Sequence, residues 1–192
     1  MRFFVTGATG TVGREVSRAL LARGADVRVG ARRSSAVSDV LPGVRDVVRF
    51  DFEQGSIDPA VFEGVDALFF MTPLMDNQVT VSRRVLDAAV RGGVRHVVRL
   101  SSRSAGWDQD SALRAWHREI EDATRGSGAT WTILRPCSFF QNFIRFQAET
   151  IRNMSSIIVP QGDGLISYID AADIGEVVAE CLLHPELHHG QT

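Results

Sequence analysis

The stretch Gly7-Ala-Thr-Gly10-Thr-Val-Gly13 follows a short apolar run and opens a segment of helical spacing. In that context a glycine loop can hold a pyrophosphate. Gly7 permits a tight turn, Gly10 lets backbone amides approach the anion with no side chain between, and Gly13 lets helix and strand pack closely. The helix that starts here adds unpaired N–H groups and a partial positive charge. Gly7, Thr9, Gly10, Thr11, Val12 and Gly13 are therefore candidate cofactor contacts.

Roughly 20 residues beyond such a loop, an NAD site carries an acid for the ribose hydroxyls. The sequence there is Gly30-Ala-Arg32-Arg33-Ser-Ser35, and Asp26 falls too early, at the start of the strand. A guanidinium pairs bidentately with a 2′-phosphate, so Arg32 and Arg33 predict NADP(H) in preference to NAD(H). The other reading is a solvated arginine pair in a loop. Ligands of open α/β sheets lie outside the carboxyl ends of the strands. Asp51 and Phe52, past the third strand, are expected beside the adenine. Met71, Thr72 and Pro73, past the fourth strand, and Ser101 and Ser102, past the fifth, are expected lining.

Composition removes whole classes of chemistry. All 21 basic residues are Arg, and the single tyrosine is Tyr168. No Schiff base, no P-loop lysine and no Tyr-x-x-x-Lys pair can form. A net charge of −2 makes no case for nucleic acid or membrane as a partner. Cys137 and Cys181 form neither a Cys-x-x-Cys motif nor a disulfide framework. Together with an opening segment unlike a signal peptide and no apolar run of bilayer length, this predicts a cytoplasmic protein.

The elements that must position these residues alternate. Apolar runs at 3–6, 27–31, 44–50, 67–71, 94–100 and 130–134 read as strands buried on both faces. Segments 11–23, 76–91 and 111–125 read as helices, with a weak helix within 34–42 and a Pro-started turn at Asp58-Pro59. Alternation of this kind predicts an α/β, Rossmann-like, doubly wound parallel sheet. The pattern changes after Arg135-Pro136. A helix over 138–151, an irregular stretch over 160–164 and a helix from Asp170 to about Leu183 predict a small C-terminal substrate lobe. The expected division is 1–136 for the cofactor domain and 137–192 for a partial lobe with elements returning to the first domain.

These residues resemble the NmrA-like family of atypical short-chain dehydrogenase relatives. The resemblance rests on Phe4-Val-Thr-Gly-Ala-Thr-Gly-Thr-Val-Gly13, the Arg after the second strand, Gly64-Val-Asp-Ala-Leu-Phe-Phe70 and Leu100-Ser-Ser102. It extends to His117-Arg-Glu-Ile-Glu121, Trp131-Thr-Ile-Leu-Arg-Pro136 and Phe139-Phe-Gln-Asn142. It implies a Rossmann domain, bound NADP(H), a place for Pro136 in the cofactor site, and a lobe that continues in relatives past the position of Thr192. The family holds both NADPH-dependent reductases and cofactor-sensing regulators, and fold alone does not separate them.

By register against the family, the tyrosine of the usual catalytic pair falls on Leu113 and the lysine on His117. Reduction by that pair is excluded. His117 could bond the nicotinamide ribose or give a proton to a reduced substrate, at an ordinary pKa near 6.5. It could equally be a helix histidine bonded to Glu121, one turn on. Asn142 could orient the substrate or the nicotinamide amide, or cap a helix. His184, His188 and His189 suggest a metal, but Pro185 breaks the helix that would align them, and none is expected. Trp107, Trp116 and Trp131 read as core or pocket wall.

The leading expectation is an oxidoreductase that passes hydride from NADPH to a small organic acceptor such as a quinone, which needs no Tyr-Lys pair. The alternative is a non-catalytic NAD(P)(H) sensor that acts through a protein partner. A sugar-nucleotide epimerase or dehydratase ranks behind both, for want of Tyr and Lys.

Overall fold

The computed structural model describes residues 1–107, 111–159 and 162–192. Each of the six apolar runs is a strand: β1 (Arg2–Val5), β2 (Asp26–Ala31), β3 (Asp46–Arg49), β4 (Ala67–Phe70), β5 (His96–Leu100) and β6 (Thr130–Leu134). They form one parallel sheet in the order β3-β2-β1-β4-β5-β6. The chain winds outward from β1 to β3, then returns past β1 to lay down β4, β5 and β6. The reversal between β1 and β4 opens a crevice at their carboxyl ends, where such sheets bind ligands.

The helices are α1 (Thr11–Ala22), α2 (Ser35–Ser38), α3 (Gln78–Arg91), α4 (Ala112–Arg125), α5 (Ala148–Met154), α6 (Ala171–Leu183) and α7 (Pro185–His188). Side chains alternate across each strand, and the alternation assigns the helices to faces. Phe3 and Val5 pack with Val12, Val16 and Leu20 of α1 and with Ile174 and Val178 of α6. Phe4, Leu68 and Phe70 pack on the other face with Val81 and Val85 of α3 and Ile120 of α4. Helix α6 lies along α1 so closely that a β-carbon on Gly175 would stand 2.7 Å from the Glu15 carbonyl carbon. Beyond α7 the chain rejoins the sheet, since Gln191 bridges Thr132 in parallel and its carbonyl accepts from Ile133 N at 3.0 Å.

Three expectations need correction or trimming. The helix over 138–151 begins instead as a short strand, β7 (Ser138–Phe139), paired in parallel with β8 (Tyr168–Ile169). A π-helical segment, Phe143–Gln147, follows, and only then α5. The cause is non-local: Phe140 N donates to Ile169 O at 3.0 Å, and the Gln141 amide bonds Asp170 and Ala171 N at 2.8 and 3.1 Å. The weak helix within 34–42 is the single turn of α2, and the Asp58-Pro59 start opens a 3₁₀ turn, Pro59–Phe62, with Asp58 accepting from Ala60 N at 2.9 Å. Of the irregular stretch over 160–164, the first two residues lie outside the described residues. Among those described, no helix is long and apolar enough to cross a membrane.

Candidate functional site

The glycine loop turns between β1 and α1. Gly7 has φ +63°, a left-handed conformation that side chains rarely adopt, and its carbonyl accepts from Gly10 N at 2.8 Å. A β-carbon on Gly13 would lie 2.3 Å from the Gly7 oxygen and 2.9 Å from that of Thr6. Only glycine lets α1 begin this close to the end of β1. Gly10 caps the helix in extended conformation with no side chain across its end, so the first-turn amides of Thr11, Val12 and Gly13 stay open to an anion.

The strand ends close around this loop. Thr6 Oγ1 accepts from Met71 N at 3.0 Å and lies 3.1 and 3.0 Å from the carbonyls of Phe69 and Met71, which clasps the ends of β1 and β4. The Met71 side chain then reaches the space over Gly7, 3.6 Å from where a β-carbon would be. Thr72 Oγ1 is buried and has no hydrogen-bond partner among the described residues. Arg32 and Arg33 stand exposed directly past β2, and Asp26 lies at the strand's far end, paired with Arg2 at 2.8 Å. Asp51 turns back to accept from Glu53 N at 3.1 Å, and Phe52 packs edge-on to Phe50 at 5.1 Å.

Behind the ends of β5 and β6 lies a charged hub. Glu121 on α4 is 1% exposed; it accepts from Ser101 Oγ at 2.6 Å, from Arg135 through two bonds of 2.9 and 2.7 Å, and from Arg125 at 3.1 Å. Burial raises its pKa, but the bonds from Arg135 and Ser101 outweigh that and hold the carboxyl below its ordinary range. The Ser101 hydroxyl therefore faces inward, whereas Ser102 caps the turn Arg103–Gly106, accepting from Ser104 N at 3.3 Å. The Pro136 carbonyl accepts from Arg103 N at 2.9 Å, which binds that turn to the end of β6.

His117 sits one turn before Glu121, yet the two are not hydrogen-bonded. Glu121 is filled by its arginines and Ser101, and His117 Nδ1 is buried without a partner among the described residues. Burial, and then the neighbouring charge of Arg99, push its pKa down to about 4. The imidazole is thus neutral near pH 7 and can bond as a neutral donor or acceptor. Asn142 has helical backbone and makes no capping bond, so it is not a helix cap here. Tyr168 on β8 stacks on Phe140 with centroids 5.7 Å apart and meets Phe143 at 4.9 Å, an aromatic cluster beside the β7–β8 pair.

Several residues of consequence were not singled out in the sequence: Thr6, Arg99, Arg135, Gln141 and Tyr168 as a stacking residue. Only Arg99 had a local signal, an arginine inside a strand otherwise apolar on both faces. The histidines near the C-terminus do not converge: His189 Nδ1 accepts from Trp131 N at 3.3 Å, while His184 lies 3.6 Å from Glu186. Among the described residues no cluster is placed to hold a metal. Trp107 is 49% exposed under the Arg114 guanidinium, so it is surface and not core. Grooves of about 470 Å³ beside Arg83 and Asp122 and about 450 Å³ beside Cys181 and Gln191 contain none of the candidate site residues.

A parallel sheet with its winding reversed at β1 and β4, and a glycine cradle against a bare helix start, together define a dinucleotide-binding α/β protein. The chain belongs to the NAD(P)H-binding family, whose model matches residues 7–185. It is 31% identical over 181 residues to an NAD(P)H azoreductase of Xenophilus azovorans, covering 94% of this chain and 63% of the relative. It is 36% identical over 179 residues to a (4-alkanoyl-5-oxo-2,5-dihydrofuran-3-yl)methyl phosphate reductase of Streptomyces griseus, covering 93% and 62%. The triphenylmethane reductase of Citrobacter sp., solved with NADP(H), superposes with a TM-score of 0.83 at 25% identity, over all of this chain and 68% of that one. The chain thus spans a little over three-fifths of the length of these curated relatives.

The residues present fit a dinucleotide. Gly7, Gly10 and the first-turn amides of α1 would take the pyrophosphate, and the Thr72 hydroxyl, unpartnered among the described residues, would be open to the ligand.

Proposed function

We propose that the protein is an NADPH-dependent oxidoreductase that reduces a small conjugated organic acceptor, a quinone being the first candidate, without a Tyr-Lys pair. The cradle at Gly7–Gly13, with two exposed arginines past β2, is the observation that carries the reading. The names of two relatives and of the solved neighbour support the reaction class, since all three are reductases.

When bound, the reduced nicotinamide supplies the hydride. The chain's own part is to hold and orient. The first-turn amides take the pyrophosphate, Arg32 and Arg33 take the 2′-phosphate, and Asp51 and Phe52 border the adenine. Met71, Thr72, Pro73, Ser102 and Pro136 line the reacting end, with Ser101 bracing it through Glu121. A quinone or an azo group accepts hydride directly, so no strong acid must be poised beside it. Neutral His117 and Asn142 are the residues assigned to bond the acceptor, stabilising charge that develops on it, while water supplies the proton.

The test is turnover. Purified protein with NADPH, given a panel of quinones, azo dyes and aldehydes, should oxidise the cofactor in the presence of quinone or azo acceptors, followed by the loss of reduced-nicotinamide absorbance. Tight binding of NADPH with no oxidation across the panel would overturn the reductase reading and favour a cofactor sensor with a protein partner.

A further inference from the structure

Strand β5 is buried at every position, and its fourth residue is an arginine. Arg99 is 1% exposed. Its guanidinium lies 5.1 Å over the Phe70 ring and donates one long bond, 3.3 Å, to the Phe70 carbonyl, while its Nε has no partner among the described residues. The carboxylate that acts on it electrostatically is Glu121. That carboxylate is already bonded to Arg135 and Arg125, and Arg125 is shared with Asp122 at 3.0 Å. Among the described residues, three guanidiniums thus stand against two carboxylates. The group keeps one positive charge in excess, and Arg99 is its deepest member.

Position gives that charge a consequence. Phe70, which Arg99 touches, is followed directly by Met71-Thr72-Pro73, and Arg99 itself precedes Ser101 by two residues. These are the strand ends assigned above to the reacting end of the cofactor. The oxidised nicotinamide is a cation and the reduced ring is neutral, while the phosphates, riboses and adenine are the same in both. A fixed charge near the strand ends that would hold the ring therefore shifts the balance between the two forms.

We propose that buried Arg99 makes this site select the reduced cofactor over the oxidised one. It is a specificity-determining residue that favours NADPH binding and speeds release of NADP⁺ after transfer. The proposal rests on the NADPH reading of the preceding section. With an effective dielectric of ~20 and a separation of ~10 Å, one uncompensated charge disfavours the pyridinium roughly tenfold. The same charge contributes, after burial, to keeping His117 neutral. Desolvation draws the pKa of Arg99 down to about 9, so it stays charged at neutral pH.

The experiment is calorimetric titration of the whole chain with NADPH and with NADP⁺, for wild type, Arg99→Met and Arg99→Lys. Wild type should bind NADPH more tightly. Arg99→Met keeps bulk and removes charge, so it should lower the NADPH:NADP⁺ affinity ratio roughly tenfold, through tighter NADP⁺ binding, and Arg99→Lys should retain the wild-type ratio. A ratio unmoved in Arg99→Met while both cofactors still bind would overturn the proposal. Glu121→Gln, which removes the compensating anion, supplies the second arm if Arg99→Met does not fold: it should raise the ratio, and an unchanged ratio counts against Arg99. Failure of wild type to bind either cofactor would strike the NADPH reading itself, a result distinct from equal binding of the two forms.

Discussion

Gly13 and Phe146 belong to regions built in opposite ways. A β-carbon on Gly13 would stand 2.3 Å from a backbone oxygen, whereas the Phe146 ring is 64% exposed and presses on little of the protein. Around the first, strand ends are buried, clasped by Thr6 and backed by the Glu121 hub. Around the second, no residue of Phe143–Gln147 or of α5 is buried, and the chain on either side is held by contacts such as Gln141 to Asp170 and Arg103 to Ser167 at 3.1 Å. On the proposed function the difference suits two tasks. Holding a pyrophosphate would need backbone amides in one place, which close packing enforces; meeting a variable acceptor would need side chains that can adapt.

Substitutions should separate the two regions by size of effect. The largest loss is expected at the hub, where Glu121→Ala takes the compensating anion from buried Arg99 and the bonds from part-exposed Arg135 and Arg125, and should cost about 3–5 kcal/mol in urea unfolding. A loss below about 1 kcal/mol would show that the corner does not depend on its ion pairs. Acid should act next. Burial, then the charges of His189 and His188, push His96 down to about 4 from an ordinary 6.5. The unfolded chain takes up that proton near pH 6.5 and the folded chain only near 4. Stability is therefore full above about pH 6.5 and falls by about 3 kcal/mol as pH drops towards 4, with partly buried His117 adding a loss of the same sign. Unfolding midpoints at pH 7, 5.5 and 4.5 check this, and a flat profile would contradict it.

Smaller effects sharpen the contrast. Arg32→Ala should weaken NADPH by roughly 1–3 kcal/mol and spare NADH, since it removes a charge-assisted bond to the 2′-phosphate alone. Equal losses for both cofactors would move that contact to Arg33. Phe146→Ala should change stability by less than about 0.5 kcal/mol, as expected of an exposed side chain. A larger loss would mean the lobe is held as tightly as the corner.

The same division governs what could be read in the sequence. The loop was legible because sterics demand glycine at Gly7 and Gly13, and the strands because short runs such as those of β4 and β5 are mostly apolar and buried on both faces. Arg32 and Arg33 were legible because the residue after β2 is set by distance from the loop. The start of the lobe was not. Ser138 and Phe139 read locally as the start of a helix, and only pairing with Tyr168 and Ile169, some 30 residues on, makes them strand. The role of Glu121 was hidden for a like reason: its main partner, Arg135, lies just past the end of β6, 14 positions away. His117 was placed correctly on its helix, but the burial that draws its pKa down to about 4 belongs to the packed fold.

The central claim is that the glycine cradle binds the phosphates of NADPH, and its most direct test is a titration of wild type and Gly10→Val with NADPH. A β-carbon at Gly10 already comes within 3.1 Å of the Gly7 oxygen, and the valine methyls would cover the open amides of α1. Saturable binding by wild type and none by Gly10→Val, with the variant still folded by circular dichroism, is the expected result. Equal affinity in the two proteins would contradict the assignment and place the cofactor elsewhere.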